Sequence, residues 1–200
     1  MIILLIGPSG VGKSTVAKTL EEKLGLKRVS FDSLLIYHGL YDLTNNDIIE
    51  FLDQTIYDGY NLIDIGGNTL TDFTVTEQKK LIETLDKHGD YSIYYLKPYK
   101  DDKKSLKFLY KMTLQTFNDP KEKARFKKIM AEDIANSCIY ENLKTESTIF
   151  TAEIENDTFK KLKIKDYKTY LREIVATSLI ADIKRKYPEI SNEDLQLGNR

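Results

Sequence analysis

The chain reads as an α/β protein of three layers, a parallel sheet of five strands with helices on both faces. Three observations carry that reading. Short apolar runs alternate with longer segments of helical periodicity. The opening run at residues 2–6, IILLI, is apolar throughout and rich in β-branched residues, the pattern of a strand buried on both faces. Glycines or an acid follow each of the first three strands, and ligands bind at the carboxyl ends of such sheets. The 200 residues, 41% hydrophobic and 30% charged, suffice for one folded domain with a buried core.

The elements follow in order. After the strand at 2–6, Val16, Leu20 and Leu24 recur at helical spacing and Gly25 ends the helix. Residues 27–31 read as the second strand. Residues 45–57 read as a helix, with Asp47 as its candidate cap and Ile48, Ile49, Leu52 and Ile56 as its apolar stripe. A third strand spans 60–65, a helix 75–87 and a fourth strand 91–96. Helices are expected over 103–117, 120–135 and 138–143, and a fifth strand over 147–152. A terminal helix covers 167–187, with Tyr170, Ile174, Ser178, Ile180 and Ile183 near one face, and a polar tail runs over 187–200.

Composition excludes several classes. Thirty basic and 31 acidic residues give a net charge of -1, which rules out a generally basic nucleic-acid coat but not a local basic patch. The single Cys138 can form no intrachain disulfide, which fits a reducing cytoplasm. The longest apolar run, residues 1–6, is too short to span a bilayer and lacks a basic leader, so neither a membrane span nor a signal peptide is expected. His38, His88 and Cys138 make no recognisable zinc set.

The strongest signal follows the first strand. Residues 7–15, GPSGVGKST, match G-x-x-x-x-G-K-[ST] between a strand and a helix. Gly7, Gly10 and Gly12 permit backbone angles that turn successive N–H groups inward, with Ser9 and Val11 between them, and the helix adds its positive end. In such a cradle Lys13 reaches the outer phosphates and Ser14 binds Mg²⁺.

Two acids and a glycine pair complete the candidate site. Asp32 follows the second strand, either as a helix cap or as a carboxylate beside a transferred phosphate. Asp64 lies in an apolar strand, where a charge is costly unless paired or bound to metal; it is either an acid on an edge strand facing water or the acid that holds Mg²⁺ together with Ser14. Gly66 and Gly67 either form a plain turn or let a substrate approach the backbone.

With these residues in place, the chain resembles the shikimate kinase group of P-loop small-molecule kinases, near gluconate and nucleoside monophosphate kinases. The resemblance covers about residues 1–155 and includes Ile139-Tyr140-Glu141, similar to the Leu-Tyr-Glu stretch after the family's lid. It implies a P-loop NTPase fold with strand order 2-3-1-4-5, a helical lid, and ATP with Mg²⁺ as phosphoryl donor. The implied arrangement is a kinase domain over 1–186 with a lid at about 112–135. By position, Gly10, Gly12, Lys13, Ser14 and Thr15 match the ATP-phosphate loop, Asp32 an acid near the reaction centre, and Gly66 and Gly67 the substrate-side glycines. The departures fall on the substrate side. Leu34 stands where a second acid belongs, residues 47–60 hold no arginine, and Asn136 replaces another. Those groups form a carboxylate clamp, so shikimate is not the expected acceptor.

Residues 97–128 are rich in lysine and contain one arginine, Arg125, the candidate lid cation. Tyr99, Phe108, Tyr110, Phe117 and Phe126 interleave with the lysines, a pattern that also suits a nucleic-acid end. Three functions follow. The first is a cytoplasmic ATP-dependent kinase of a small molecule, with Lys13, Asp32 and Arg125 as its catalytic residues. The second is a kinase of nucleotides or polynucleotide ends, and the third a non-catalytic nucleotide-binding module. Oligomeric state is not readable from the sequence.

Overall fold

The computed structural model describes residues 1–8, 10–66, 69–70, 73–99, 102–114, 118–135, 148–151 and 164–190. The strands are β1 (Ile2–Ile6), β2 (Arg28–Ser30), β3 (Leu62–Asp64), β4 (Tyr91–Lys97) and β5 (Thr148–Thr151). They form one sheet in the order β2-β3-β1-β4-β5, with every neighbouring pair parallel. All strands therefore end on the same edge, which gathers the segments after β1, β2 and β3.

Alternation along the buried strands divides the core in two. Ile3, Leu5, Leu62, Tyr94 and Leu96 pack on one face, under α1 (Lys13–Leu24), α5 (Asp102–Thr113) and the terminal helix. Ile2, Leu4, Ile6, Ile63, Ile65, Ile93 and Tyr95 pack on the other face, under α2 (Phe31–Tyr37), α3 (Asn45–Tyr57) and α4 (Val75–Lys87). This is the expected three-layer arrangement. Both α3 and α4 open on a capping box, Thr44 with Asp47 and Thr74 with Glu77, which satisfies amide groups that the helix leaves unpaired. Helix α6 covers Pro120–Ala135.

Three expectations need correction. The second strand is shorter than 27–31, because Phe31 already begins α2 and is fully buried there. The terminal helix begins earlier, as α7 (Ile164–Tyr170), passes through a π turn at Leu171–Val175 and continues as α8 (Ala176–Lys186). The π turn adds a residue to one turn and shifts the phase. Tyr167, Leu171, Val175, Ala176, Leu179 and Ile183 are therefore buried, and Ile174 is 52% exposed. Residues 187–190 do not start a solvated tail either. Tyr187 is buried, its hydroxyl hydrogen-bonded to Ser92 Oγ at 2.8 Å, and Ile190 packs on the same core. The expected helix at 138–143, Asn136, Ile139-Tyr140-Glu141 and residues 191–200 lie outside the described residues.

Candidate functional site

The loop after β1 enters α1 with positive φ at Gly7, Gly10 and Gly12. Gly12 is the N-cap at φ 94°, which calls for glycine, and a Cβ there would press on the Leu171 side-chain tip, which would have to move. Helix α1 has no acid in its first turn and no side-chain cap, which leaves its positive end uncompensated by a carboxylate of that turn. Lys13 is 8% exposed and curls under the loop, donating to the Gly7 carbonyl at 2.8 Å and the Pro8 carbonyl at 3.2 Å. The terminal helix braces this loop. Tyr167 donates its hydroxyl to the Val11 carbonyl at 3.1 Å, and burial pushes its phenol up, so it stays a protonated donor at neutral pH. Ser9 lies outside the described residues.

Asp64 ends β3, an internal strand, and is 2% exposed. It is not an acid on a solvated edge. Leu62 and Asp64 point toward α1, while Ile63 and Ile65 point to the opposite core. That alternation brings the Asp64 carboxylate to the first turn of α1, where Ser14 Oγ donates to its Oδ1 at 3.0 Å. Its Oδ2 accepts from Arg28 Nε at 3.2 Å and Nη2 at 3.0 Å. A buried carboxylate facing a hydroxyl suits a hard cation. Among the described residues no group of three or more His, Cys, Asp or Glu gathers around one point.

Asp32 lies in the first turn of α2, one residue past the start, with Ser30 as N-cap, so it is not the cap itself. It accepts a 2.5 Å hydrogen bond from Thr69 Oγ1 on Oδ1. Gly66 is needed here for close approach, because a Cβ would overlap Asp32 Oδ2. What approaches the Gly66 backbone is thus the Asp32 carboxylate itself. Gly67 lies outside the described residues.

Loop, Ser14, Asp64, Asp32 and Gly66 therefore meet at the carboxyl edge of the sheet. An open cavity of about 550 Å³ continues from there along α1, lined by Ser14, Thr15, Lys18, Arg28 and Arg172 among others. Arg125 lies exposed on α6 and is not among the lining residues. Sequence reasoning missed Arg28, Thr69, Tyr167 and Arg172. Arg28 carried one signal, as a lone cation in a short strand beside the strand holding Asp64. The others carried none, because only the tertiary fold brings them to the loop.

No family model matches the chain. Human tRNA dimethylallyltransferase is 33% identical to it over 76 residues, 38% of this chain and 16% of that protein. A putative adenylate kinase from Thermococcus gammatolerans is 39% identical over 57 residues, 28% of this chain and 32% of that one. The chain thus spans less than two thirds of either relative. The crystal structure of a shikimate kinase from Bacteroides thetaiotaomicron matches with a TM-score of 0.50 and 17% identity, covering 88% of this chain and 98% of that one. With the strand order and the loop described above, that likeness shows the fold: the chain is built on the α/β fold of the P-loop NTPases, in the form seen in shikimate kinase.

Proposed function

We propose that the chain is an ATP-dependent phosphotransferase acting on a small molecule. The observation that carries this reading is the Ser14–Asp64 pair, a solvent-facing hydroxyl bonded to a buried carboxylate beside a phosphate-type loop that also holds Lys13. The loop amides and Lys13 would hold the outer phosphates, and Ser14 and Asp64 would hold Mg²⁺. When bound there, Mg²⁺ neutralises charge that builds on the transferred phosphoryl group. Asp32, fixed by Thr69, orients the acceptor hydroxyl and takes its proton as the new O–P bond forms. The bond from γ-phosphorus to the bridging oxygen breaks and ADP leaves. Residues 1–186 would form the kinase domain, with about 112–135 as its lid and Arg125 as the lid's cation.

The absence of the carboxylate clamp argues against shikimate as acceptor. Tyr37 and Tyr41 are exposed beyond Asp32, and His38 stacks edge-on against Tyr37 and Phe51, a surface that suits a planar or uncharged group. The same aromatics, with the local similarity to a putative adenylate kinase, favour a nucleotide acceptor as the second reading. No helix of the described residues is long and apolar enough to cross a membrane, and the cytoplasm is the proposed location.

The test is ADP release with ATP and Mg²⁺ across shikimate, gluconate, nucleosides, nucleoside monophosphates and 5′-hydroxyl oligonucleotides. Acceptor-dependent release identifies the class. ATP binding with no turnover on any acceptor would favour a non-catalytic nucleotide-binding module.

A further inference from the structure

Arg28 belongs to no motif, yet it occupies one of the two oxygens of the most buried acid at the site. In the parallel register Ser30 of β2 lies beside Asp64 of β3, and Arg28 lies beside Leu62. Residues 28 and 30 share the face that looks toward α1, so Arg28 reaches diagonally across the strand pair. Both of its contacts, Nε and Nη2, fall on Asp64 Oδ2, while Oδ1 takes the Ser14 hydroxyl. Its side chain is 21% exposed and that of Asp64 is 3% exposed, so the pair is shielded on the acid's side. Arg28 also lines the cavity beside Ser14 and Thr15.

The two contacts pin Oδ2, and together with the Ser14 bond on Oδ1 they hold the carboxylate's orientation and leave one oxygen toward Ser14. A calcium-sized ion takes six to eight oxygens at about 2.3–2.6 Å and often binds a carboxylate through both oxygens. Mg²⁺ demands near-octahedral geometry at about 2.0–2.1 Å, keeps several waters, and needs only one carboxylate oxygen. We propose that Arg28 is a positioning residue that restricts Asp64 to one metal-facing oxygen and thereby selects a small, hydrated divalent cation over a larger one. A plain charge effect would differ, because a neighbouring positive charge weakens binding of both divalent ions alike. Selectivity, not affinity, is therefore the signature. The inference rests on the proposed metal role of Ser14 and Asp64.

The test compares the affinity of the full chain for the magnesium and the calcium complexes of a non-hydrolysable β,γ-imido analogue of ATP, by calorimetry. Arg28→Met removes the fork, and Arg28→Lys keeps the charge but supplies a single point donor. Far-UV circular dichroism checks that each variant folds, and the lysine variant serves if the methionine variant does not. The expected result is a preference for magnesium in the wild type that falls about tenfold in Arg28→Met and two- to threefold in Arg28→Lys. An unchanged ratio in the variants overturns the inference and leaves the metal reading standing, even where both affinities rise together. If neither metal changes analogue binding to the wild type, the metal role of Ser14 and Asp64 fails, and the inference falls with it.

Discussion

Gly66→Ala tests the geometry around Asp32. The new methyl group would stand where Asp32 Oδ2 lies, so the carboxylate must swing away or the end of β3 must shift. Swinging breaks the 2.5 Å bond from Thr69, a hydrogen bond to a charged group. Such a bond contributes about 1.5–3 kcal/mol when well buried, and overpacking costs about 1–3 kcal/mol. Asp32 is only half-buried, so the lower end applies, about 1–2 kcal/mol. For a chain of this size that is a fall of roughly 2–8 °C in melting temperature. Lys13, Ser14 and Asp64 do not touch Gly66 by any hydrogen bond described above, so ATP affinity should stay within about twofold while acceptor-dependent turnover falls. Thr69→Val removes the same bond without adding a methyl group at 66 and should shift turnover in the same direction. Thermal melts, ATP titration and turnover separate the effects. A Gly66→Ala variant that melts and turns over like the wild type would refute the assigned contact. Loss of ATP binding in step with turnover would refute its local action.

Three other outcomes are expected. Tyr167→Phe removes the buried bond to the Val11 carbonyl; it should cost about 1 kcal/mol in denaturant unfolding and weaken ATP binding several-fold, because the brace on the loop is lost. Burial raises Asp182, but hydrogen bonds from Arg185, Lys186 and Tyr94 outweigh it and hold the acid down to about 2 from the ordinary 3.8. An acid depressed in the folded state stabilises above its unfolded value and loses that contribution as pH falls through the folded one. Unfolding curves should therefore lose about 1 kcal/mol between roughly pH 4 and 2 after allowance for solvent screening, and Asp182→Asn should remove that loss while lowering stability at pH 7 by as much. Arg125→Ala should cut turnover at least tenfold and leave ATP affinity nearly unchanged if α6 acts as the lid; equal turnover would remove Arg125 from the site.

The fold was legible where local signals and tertiary packing agree. The bounds of α3 and α4 follow from apolar stripes that end where the packing ends; their caps, Thr44 and Thr74, went unread, and Asp47 is the acid of a capping box rather than the cap itself. The phosphate loop was legible because its glycines are dictated by backbone geometry. The terminal helix was misphased because a π turn is invisible to a 3.6-residue period. Gly66 was noticed, but as a substrate-side glycine; the group against it, Asp32, comes from the first turn of α2. Arg28 and Tyr167 reach the site from 36 and 156 residues away along the chain, to Asp64 and Val11, distances across which no periodicity carries information.

The most direct measurement of the central claim is a calorimetric titration of ATP with Mg²⁺ into the wild type and Lys13→Ala. Lys13 is held under the loop by the Gly7 and Pro8 carbonyls, where a bound phosphate would meet it. Saturable binding to the wild type is expected, weaker by at least tenfold in the variant, or about 1.4 kcal/mol, with little change in melting temperature. Equal affinity in the two proteins, or no binding to either, would contradict the account.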